Sequence, residues 1–443
     1  MLKTIPEILD YMDAFVHEAT SAEYMLLRAK DLLNRLGNPQ RQLRVVHVAG
    51  TSAKGSTVFY TAALLHAHGY TVGSSISPHL VHLQERVKIN NAPIADDLFI
   101  SYFNELVPTI EDMKRSSFGS PSFFEIMMAL AFYVFYKEHV DFAVIETGMG
   151  GRYDASNTVD RDDKIAVITK IGFDHMKFLG NTLPKIGNEK IHIVKDHNLA
   201  LSMAQKPQVE ALFKAHARKH QTTIRFIKEG EAYVIRKQEQ GVITFDFHYN
   251  DCQFDGLKLC SLARYNVENV SIALAACYEA LKREKKSLDR RAVQRVLQHD
   301  HLPGRFQEVL INGNKIILDS AHNPQKMATF IHDLTRVYPD TTFRFILAFK
   351  KGKRYKKMLE YIFPLASEIV LSQFEGENQG MRLVSSDSFK LEQELNEMGF
   401  SKTKTIKLDQ IYSFLQQKTK EVTIITGSMY FVGDVLRMLY ETS

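Results

Sequence analysis

The chain has 443 residues, 45% hydrophobic and 24% charged, with a formal net charge of +5. That length exceeds one compact domain, so two or three are expected, and the apolar share excludes a disordered chain. The mild, dispersed charge does not argue for nucleic acid, and it would suit an enzyme that handles polyanions such as nucleotides or polycarboxylates.

Residues 5–36 carry an amphipathic helical pattern through Ile8, Met12, Phe15, Tyr24, Leu27 and Leu32. The first residues, Met-Leu-Lys-Thr-Ile-Pro-Glu, lack the apolar core of a signal peptide. A strand is predicted over 43–49. Its β-branched run breaks at Gly50, and Thr51-Ser52-Ala53-Lys54-Gly55-Ser56-Thr57 leads into a helix through Val58, Ala62, Leu65 and Ala67. Strand, small-residue loop with one lysine, then helix is how a backbone cradles phosphate: loop N–H groups and the helix N-terminus face the anion and the ammonium reaches the terminal phosphates. The order departs from the standard motif because Gly55 separates Lys54 from the hydroxyls. An ordinary βα loop that contains a lysine is the plain alternative.

A short strand near 71–76 runs into Ser77-Pro78-His79-Leu80, where Pro78 ends it and predicts an exposed loop. The longest apolar run, Phe123 to Tyr136, is interrupted by Glu125 and falls short of the ~20 residues that span a bilayer. Ser122 and Glu125 have capping-box spacing, so the run reads as a buried helix, and no membrane segment is expected. Strands over 141–145 and 165–169 end at Glu146-Thr-Gly-Met-Gly-Gly-Arg152 and at Ile171-Gly-Phe-Asp174-His175. Helices alternate with these runs, the pattern of a mostly parallel sheet covered on both faces.

From 222 to 262 the alternation predicts an antiparallel hairpin or small sheet. Helices over 264–283 and 287–298 and a polar joint over 299–304 follow, with Pro303-Gly304 as a hinge. Strands over 315–319, 342–348, 367–372 and 422–426, each followed by a helix, then form a second doubly wound unit. The expected architecture is α/β, with two doubly wound domains over 1–300 and 301–443. Cys252, Cys260 and Cys277 show neither metal-ligand spacing nor a disulfide framework, which fits a reducing cytoplasm.

Ligands of open α/β sheets bind beyond the carboxyl ends of strands. Lys54, Glu146 and His175 stand at three such ends, and Ser77 lies in the loop after a fourth strand. A carboxylate, an imidazole and a hydroxyl near a phosphate loop suit Mg²⁺ held with substrate phosphates. The plain alternative pairs Glu146 with Arg152 and makes His175 a helix cap. The glycines after Glu146 allow close backbone approach to a ligand. Lys190 lies on a helix pattern, where a lysine is ordinarily at the surface. In the second half, Asp319 could accept a ribose hydroxyl, Asn323 could equally be a helix cap, and Arg305 sits at the joint. The basic run 350–357 reads first as a solvated face, then as a site for anionic substrate, and last as a nucleic-acid surface.

These motifs together resemble the folylpolyglutamate synthase and dihydrofolate synthase family, a branch of the Mur-type amide ligases, across residues 5–440. The markers are His47-Val-Ala-Gly-Thr51 with Lys54-Gly-Ser, Ser77-Pro-His-Leu, Glu85-Arg-Val, Glu146 through Asn157, Asp174-His175 with Leu179-Gly-Asn-Thr182, Glu189-Lys190, Pro303-Gly-Arg-Phe306, Asp319 with Ala321-His-Asn-Pro324, and Gly427-Ser-Met-Tyr-Phe-Val-Gly433. The resemblance implies a P-loop-type ATPase domain with a small added β region and a C-terminal Rossmann-like domain. It implies that Gly50, Thr51, Ser52, Ala53, Lys54, Gly55 and Ser56 hold ATP phosphates. Ser77 and Glu146 would take one Mg²⁺ and His175 a second, and Lys190 would be carbamylated. Asn269 would contact adenine, Arg305 the phosphates, and Asp319 and His322 the ribose and γ-phosphate region, with glutamate between the domains and the pterin near Ser77 and Asp154.

The implied reaction is ATP-dependent transfer of L-glutamate to a reduced folate, or to dihydropteroate, through an acyl phosphate, in a cytoplasmic monomer. Other readings are a Mur-type ligase for another carboxylate acceptor and a non-catalytic nucleotide-binding relative. Departures from the family pattern cluster around ATP and substrate. Ser52-Ala53 replaces Asn-Gly in the phosphate loop, and a left-handed Ala53 would cost about 1–2 kcal/mol. Lys170 replaces an asparagine, Tyr265-Asn266 replaces His-Gln, and the basic run replaces an Asp-Lys-Asp.

Overall fold

Five consecutive buried residues, Val45–Ala49, form strand β1 at the middle of an eight-stranded sheet. β-Branched side chains suit a strand covered on both faces, and β1 has parallel neighbours on both sides. The computed structural model describes residues 1–13, 15, 22–239, 241–300, 302–378 and 381–441. The chain divides into two compact units, Met1–Cys260 with Asn266–Asp300, and Ser261–Tyr265 with His301–Ser443.

In the first unit, β2 (Val72–Ser75), β3 (Lys88–Ile89), β4 (Ala92–Pro93), β5 (Phe142–Glu146), β6 (Ile165–Ile168), β7 (Leu199–Met203) and β8 (Thr223–Ile227) join β1 in the order β4-β3-β2-β5-β1-β6-β7-β8. All pairs are parallel except those of β3 and β4, which make an antiparallel edge. Strand order reverses at β1, the position where such sheets open a crevice at their carboxyl edge. A separate antiparallel sheet is built from β9 (Tyr233–Glu239), β10 (Val242–Tyr249) and β11 (Cys252–Cys260).

This corrects the expectation for 222–262. Thr223–Ile227 belongs to the main parallel sheet, and only the later strands form the small one. Thr-Ile-Arg-Phe-Ile is the edge strand of that sheet, with Ile227 buried in one core cluster and Ile224 and Phe226 packed against another, and not a hairpin partner. The amphipathic pattern of 5–36 resolves into helices Ile5–Asp13 and Ala22–Arg35; residues 14 and 16–21 of that pattern lie outside the described residues, as does His301 of the joint. The 76–80 loop is half-buried instead of exposed.

Helix Phe123–Lys137 fills the core under the sheet, and its capping box is formed: Ser122 N–H donates to Glu125 at 2.8 Å, and Glu125 N–H to Ser122 Oγ at 3.4 Å. The buried Glu125 carboxylate also takes two bonds from Arg28, at 2.7 and 2.9 Å. Buried charge persists only when so paired. No described helix is long and apolar enough to cross a membrane.

The second unit is a six-stranded sheet of β12 (Gln307–Ile311), β13 (Asn314–Leu318), β14 (Phe343–Leu347), β15 (Ala366–Leu371), β18 (Thr403–Thr405) and β19 (Thr423–Thr426), in the order β12-β13-β19-β14-β15-β18. Only β12 runs antiparallel to its neighbour. A two-stranded ribbon, β16 (Glu375–Asn378) with β17 (Met381–Val384), stands apart. Parallel strands with helices after β13, β14, β15 and β19 make this a doubly wound layer.

Candidate active site

The loop after β1 is fastened from the next strand. Thr51 and Ser52 N–H groups donate to the Lys170 carbonyl at 2.9 and 3.4 Å. The Thr169 hydroxyl donates to the Ser52 carbonyl at 2.5 Å, and the Thr51 hydroxyl bonds the Gly172 carbonyl at 3.1 Å. Gly50 is required by space: a Cβ there would lie 1.8 Å from Thr169 Oγ1. Ala53 is left-handed, at φ 71°, and occupies the N-cap of helix Lys54–Ala67 without a side-chain bond to it. The first-turn N–H groups of a helix lack intrahelical acceptors, so an apolar N-cap leaves that end of the helix suited to an anion.

Lys54 opens the helix, with Nζ 3.5 Å from Glu146 Oε1. Glu146 ends β5, is buried, and accepts the Ser77 N–H on Oε2 at 3.1 Å. Gly55 lies close by, for a Cβ there would meet Glu146 Oε2 at 3.4 Å. Lys54, Glu146, Ser77 and the phosphate-loop residues are thus brought together at one carboxyl edge. Arg152 pairs with Glu189 at 3.8 Å.

Asp154 is buried and caps its own loop. It accepts the Met149 N–H at 2.8 Å on one oxygen, and the Ser156 N–H at 3.0 Å and hydroxyl at 2.5 Å on the other. Burial pushes its pKa up, with these donors opposing. The Ser156 hydroxyl continues to His47 Nε2 at 2.8 Å, and the fully buried imidazole is held well below its usual pKa by desolvation and by Lys164 and Lys195.

His175 precedes the short helix Met176–Leu179 at φ 47°, with its side chain about half exposed and Nε2 4.0 Å from Asp174. It occupies the N-cap position without a side-chain cap bond. Lys190 departs from the ordinary surface lysine because it is only 4% exposed. Its helix, Leu183–Ile191, docks on the glycine loop: the Glu189 carbonyl accepts the Arg152 N–H at 2.8 Å, and a Cβ at Gly151 would sit 2.8 Å from the Lys190 carbonyl. Asn269 is buried in helix Tyr265–Arg283 and donates to Asn266 at 3.2 Å.

In the second unit, Asp319 follows β13 and accepts the Phe306 and Ala321 N–H groups, both at 2.9 Å, and the Tyr265 hydroxyl at 3.3 Å. Burial raises its pKa against the pull of Arg305. His322 is held well below the usual imidazole range by desolvation and by Lys326 and Lys353; its Nε2 lies 3.2 Å from Lys326 Nζ. Arg305 bonds the Gly304 carbonyl at 3.3 Å. Asn323 caps helix Pro324–Val337 through the Lys326 N–H at 2.9 Å, as one of the two sequence readings has it. Of the basic run, Lys350 and Lys353 are half-buried.

Among the described residues no three His, Cys, Asp or Glu side chains form a metal-binding group. Mg²⁺ does not require one, since it binds through one or two carboxylates with substrate phosphates and keeps several waters. One buried carboxylate beside a phosphate loop and a serine fits that donor set.

A family model of the Mur ligase middle domain matches residues 104–277, and one of the dihydrofolate synthetase C-terminal domain matches residues 305–438. These two models and the full-length relatives liken the chain to the folylpolyglutamate synthase/dihydrofolate synthase family of Mur-type ligases. It is 29% identical over 417 residues to a dihydrofolate synthase/folylpolyglutamate synthase of Bacillus subtilis, covering 93% of this chain and 94% of the relative. A Mycobacterium tuberculosis folylpolyglutamate synthase complexed with ADP and AMPPCP matches with TM-score 0.81 and 25% identity over 94% of this chain and 95% of that one. An FPGS–AMPPCP–folate complex matches with TM-score 0.80 and 25% identity over 99% and 100%. Members of this family are ATP-dependent ligases.

Sequence reasoning missed Thr169 and Glu268. Thr169 had a readable signal, a hydroxyl ending an apolar strand. Glu268 had none, because its partner Lys170 lies 98 positions away.

Proposed function

We propose that this chain joins L-glutamate to a reduced folate in an ATP-dependent reaction, and that dihydropteroate is its other acceptor. The observation that carries the reading is the phosphate loop with Lys54 set against the buried Glu146, 3.5 Å apart. Gly50 through Ser56 would receive the ATP phosphates, their N–H groups facing the anion while Lys54 neutralises charge at the terminal phosphates. An acceptor carboxylate oxygen attacks the γ-phosphorus, the bond to the β-phosphate oxygen breaks, and ADP leaves. The amine of glutamate then attacks the acyl phosphate carbon, loses a proton and expels phosphate, leaving an amide. Water must be kept from the acyl phosphate meanwhile.

Ser77 and Glu146, with His175 for a second ion, would hold Mg²⁺, which supplies charge neutralisation at the phosphates when bound. Lys190 is the candidate for carbamylation, and its burial suits a lysine that is not carried as a solvated cation. Asn269, Arg305, Asp319 and His322 are assigned to the nucleotide, and Ser77 and Asp154 to the pterin. The same reading has residues 1–300 as the ATP-binding domain, 301–443 as the ligase domain, and the protein as a cytoplasmic monomer.

The test is ADP release with Mg²⁺, ATP and glutamate, comparing tetrahydrofolate, dihydropteroate and no acceptor. Pterin-dependent turnover that Glu146→Gln abolishes supports the reading. ATP binding without turnover on either pterin assigns another acceptor, and failure to bind ATP removes the ligase.

A further inference from the structure

The phosphate loop does not hold itself. Its N-cap, Ala53, is left-handed and contributes no capping bond. What fixes it is the carboxyl end of β6: the Lys170 carbonyl accepts two loop N–H groups and the Thr169 hydroxyl donates to a loop carbonyl. That strand end is secured on one side by Gln205, which accepts the Ile171 N–H at 3.1 Å and donates to the Thr169 carbonyl at 3.0 Å. On the other side the Lys170 ammonium reaches Glu268 at 2.6 Å. Glu268 lies in the first turn of helix Tyr265–Arg283, where a carboxylate is favoured by the helix dipole, and it neighbours Asn269.

We propose that Lys170 is a positioning residue for the nucleotide: its ion pair with Glu268 ties the strand end that carries the phosphate loop to the helix that carries Asn269. This rests on the nucleotide reading of the loop given above. The Lys170 backbone sets the loop and its side chain sets the helix, so one residue relates the group that meets phosphate to the group assigned to adenine. A loop with a left-handed Ala53 needs such outside restraint more than one with glycine there, because alanine disfavours that conformation and adds no side-chain cap bond. The pair is only partly exposed, at 43% for Lys170 and 18% for Glu268, so its effect falls with salt but does not vanish.

The experiment is calorimetric titration of ATP into the full chain and into Lys170→Met, Glu268→Gln, the double variant and Lys170→Arg. Each single neutralisation is expected to weaken ATP binding about three- to tenfold, and the double variant no more than either single one. Lys170→Arg restores affinity, and the KM for glutamate stays unchanged throughout. Loss on Lys170→Met without loss on Glu268→Gln would make Lys170 a direct phosphate ligand and overturn the proposal. So would unaltered binding in both. If the unsubstituted chain bound no ATP, the nucleotide reading itself would fail, an outcome visible before any variant is made.

Discussion

Two glycine-bearing loops leave adjacent strands of the first sheet, and they are held in opposite ways. The loop after β1 is gripped from outside, by Lys170, Thr169 and Gly172 of the segment that ends β6. The loop after β5 is closed from within by Asp154, whose two oxygens take N–H and hydroxyl donors from residues 149 and 156. The difference fits the roles proposed for the two loops. A loop whose helix N-terminus serves an anion cannot spend those donors on a capping side chain, so its restraint comes from a neighbour. A loop that mainly shapes a wall, and packs at Gly151 against the Lys190 backbone, can use its own carboxylate.

Gly50→Ala attacks the external grip and is expected to have the largest effect. Its Cβ would overlap Thr169 Oγ1 at 1.8 Å, so β1 and β6 must part or the loop must leave its place. Urea denaturation should show a loss of about 3 kcal/mol or more, with ATP binding abolished. Wild-type stability and affinity would mean that the loop is not held as described.

Asp154→Asn attacks the internal closure. An amide keeps one acceptor and turns donors toward N–H groups, so a loss of about 2 kcal/mol in urea is expected, with ATP affinity changed less than twofold. A large loss of ATP affinity would erase the distinction between the loops.

The same residue predicts a pH signature. Burial holds the folded pKa of Asp154 above its unfolded value of about 3.9, so between the two the folded state binds the extra proton. Its contribution to stability is therefore fully present below the unfolded pKa and is lost as pH rises through the folded one. Paired melts of the natural chain and Asp154→Asn should show their gap widening as pH falls from 7 toward 4; a constant gap would remove burial as the dominant influence.

The smallest effect is expected of Ala53→Gly. Relief of the left-handed strain, set against the extra freedom of glycine in the unfolded chain, should raise stability by about 0.5–1 kcal/mol. A decrease would show that the φ of 71° is not strained there.

Much of this was legible in sequence because it is local. The β-branched run of β1, the break at Gly50 and the Ser122–Glu125 box each announce themselves within a few residues, and the alternation of strands and helices implied two doubly wound layers. The question of strain at Ala53 was also readable, since Ala stands where a left-handed residue is needed. What was not legible depends on distant partners. The two-residue strands β3 and β4 carry no periodicity. Leu199–Met203 lacks the β-branched richness that marks a strand, yet its place between β6 and β8 makes it one. Lys190 looked like any helix lysine until its helix met the glycine loop, and Lys170 appeared only as an added charge until Glu268 was found beside it.

The most direct test of the central claim is the mass of the product formed from tetrahydrofolate, ATP, Mg²⁺ and L-glutamate. The account predicts an acceptor heavier by one glutamyl residue for each ADP released. ATP hydrolysed or bound while the acceptor stays unchanged, under conditions where the chain is folded, would contradict it.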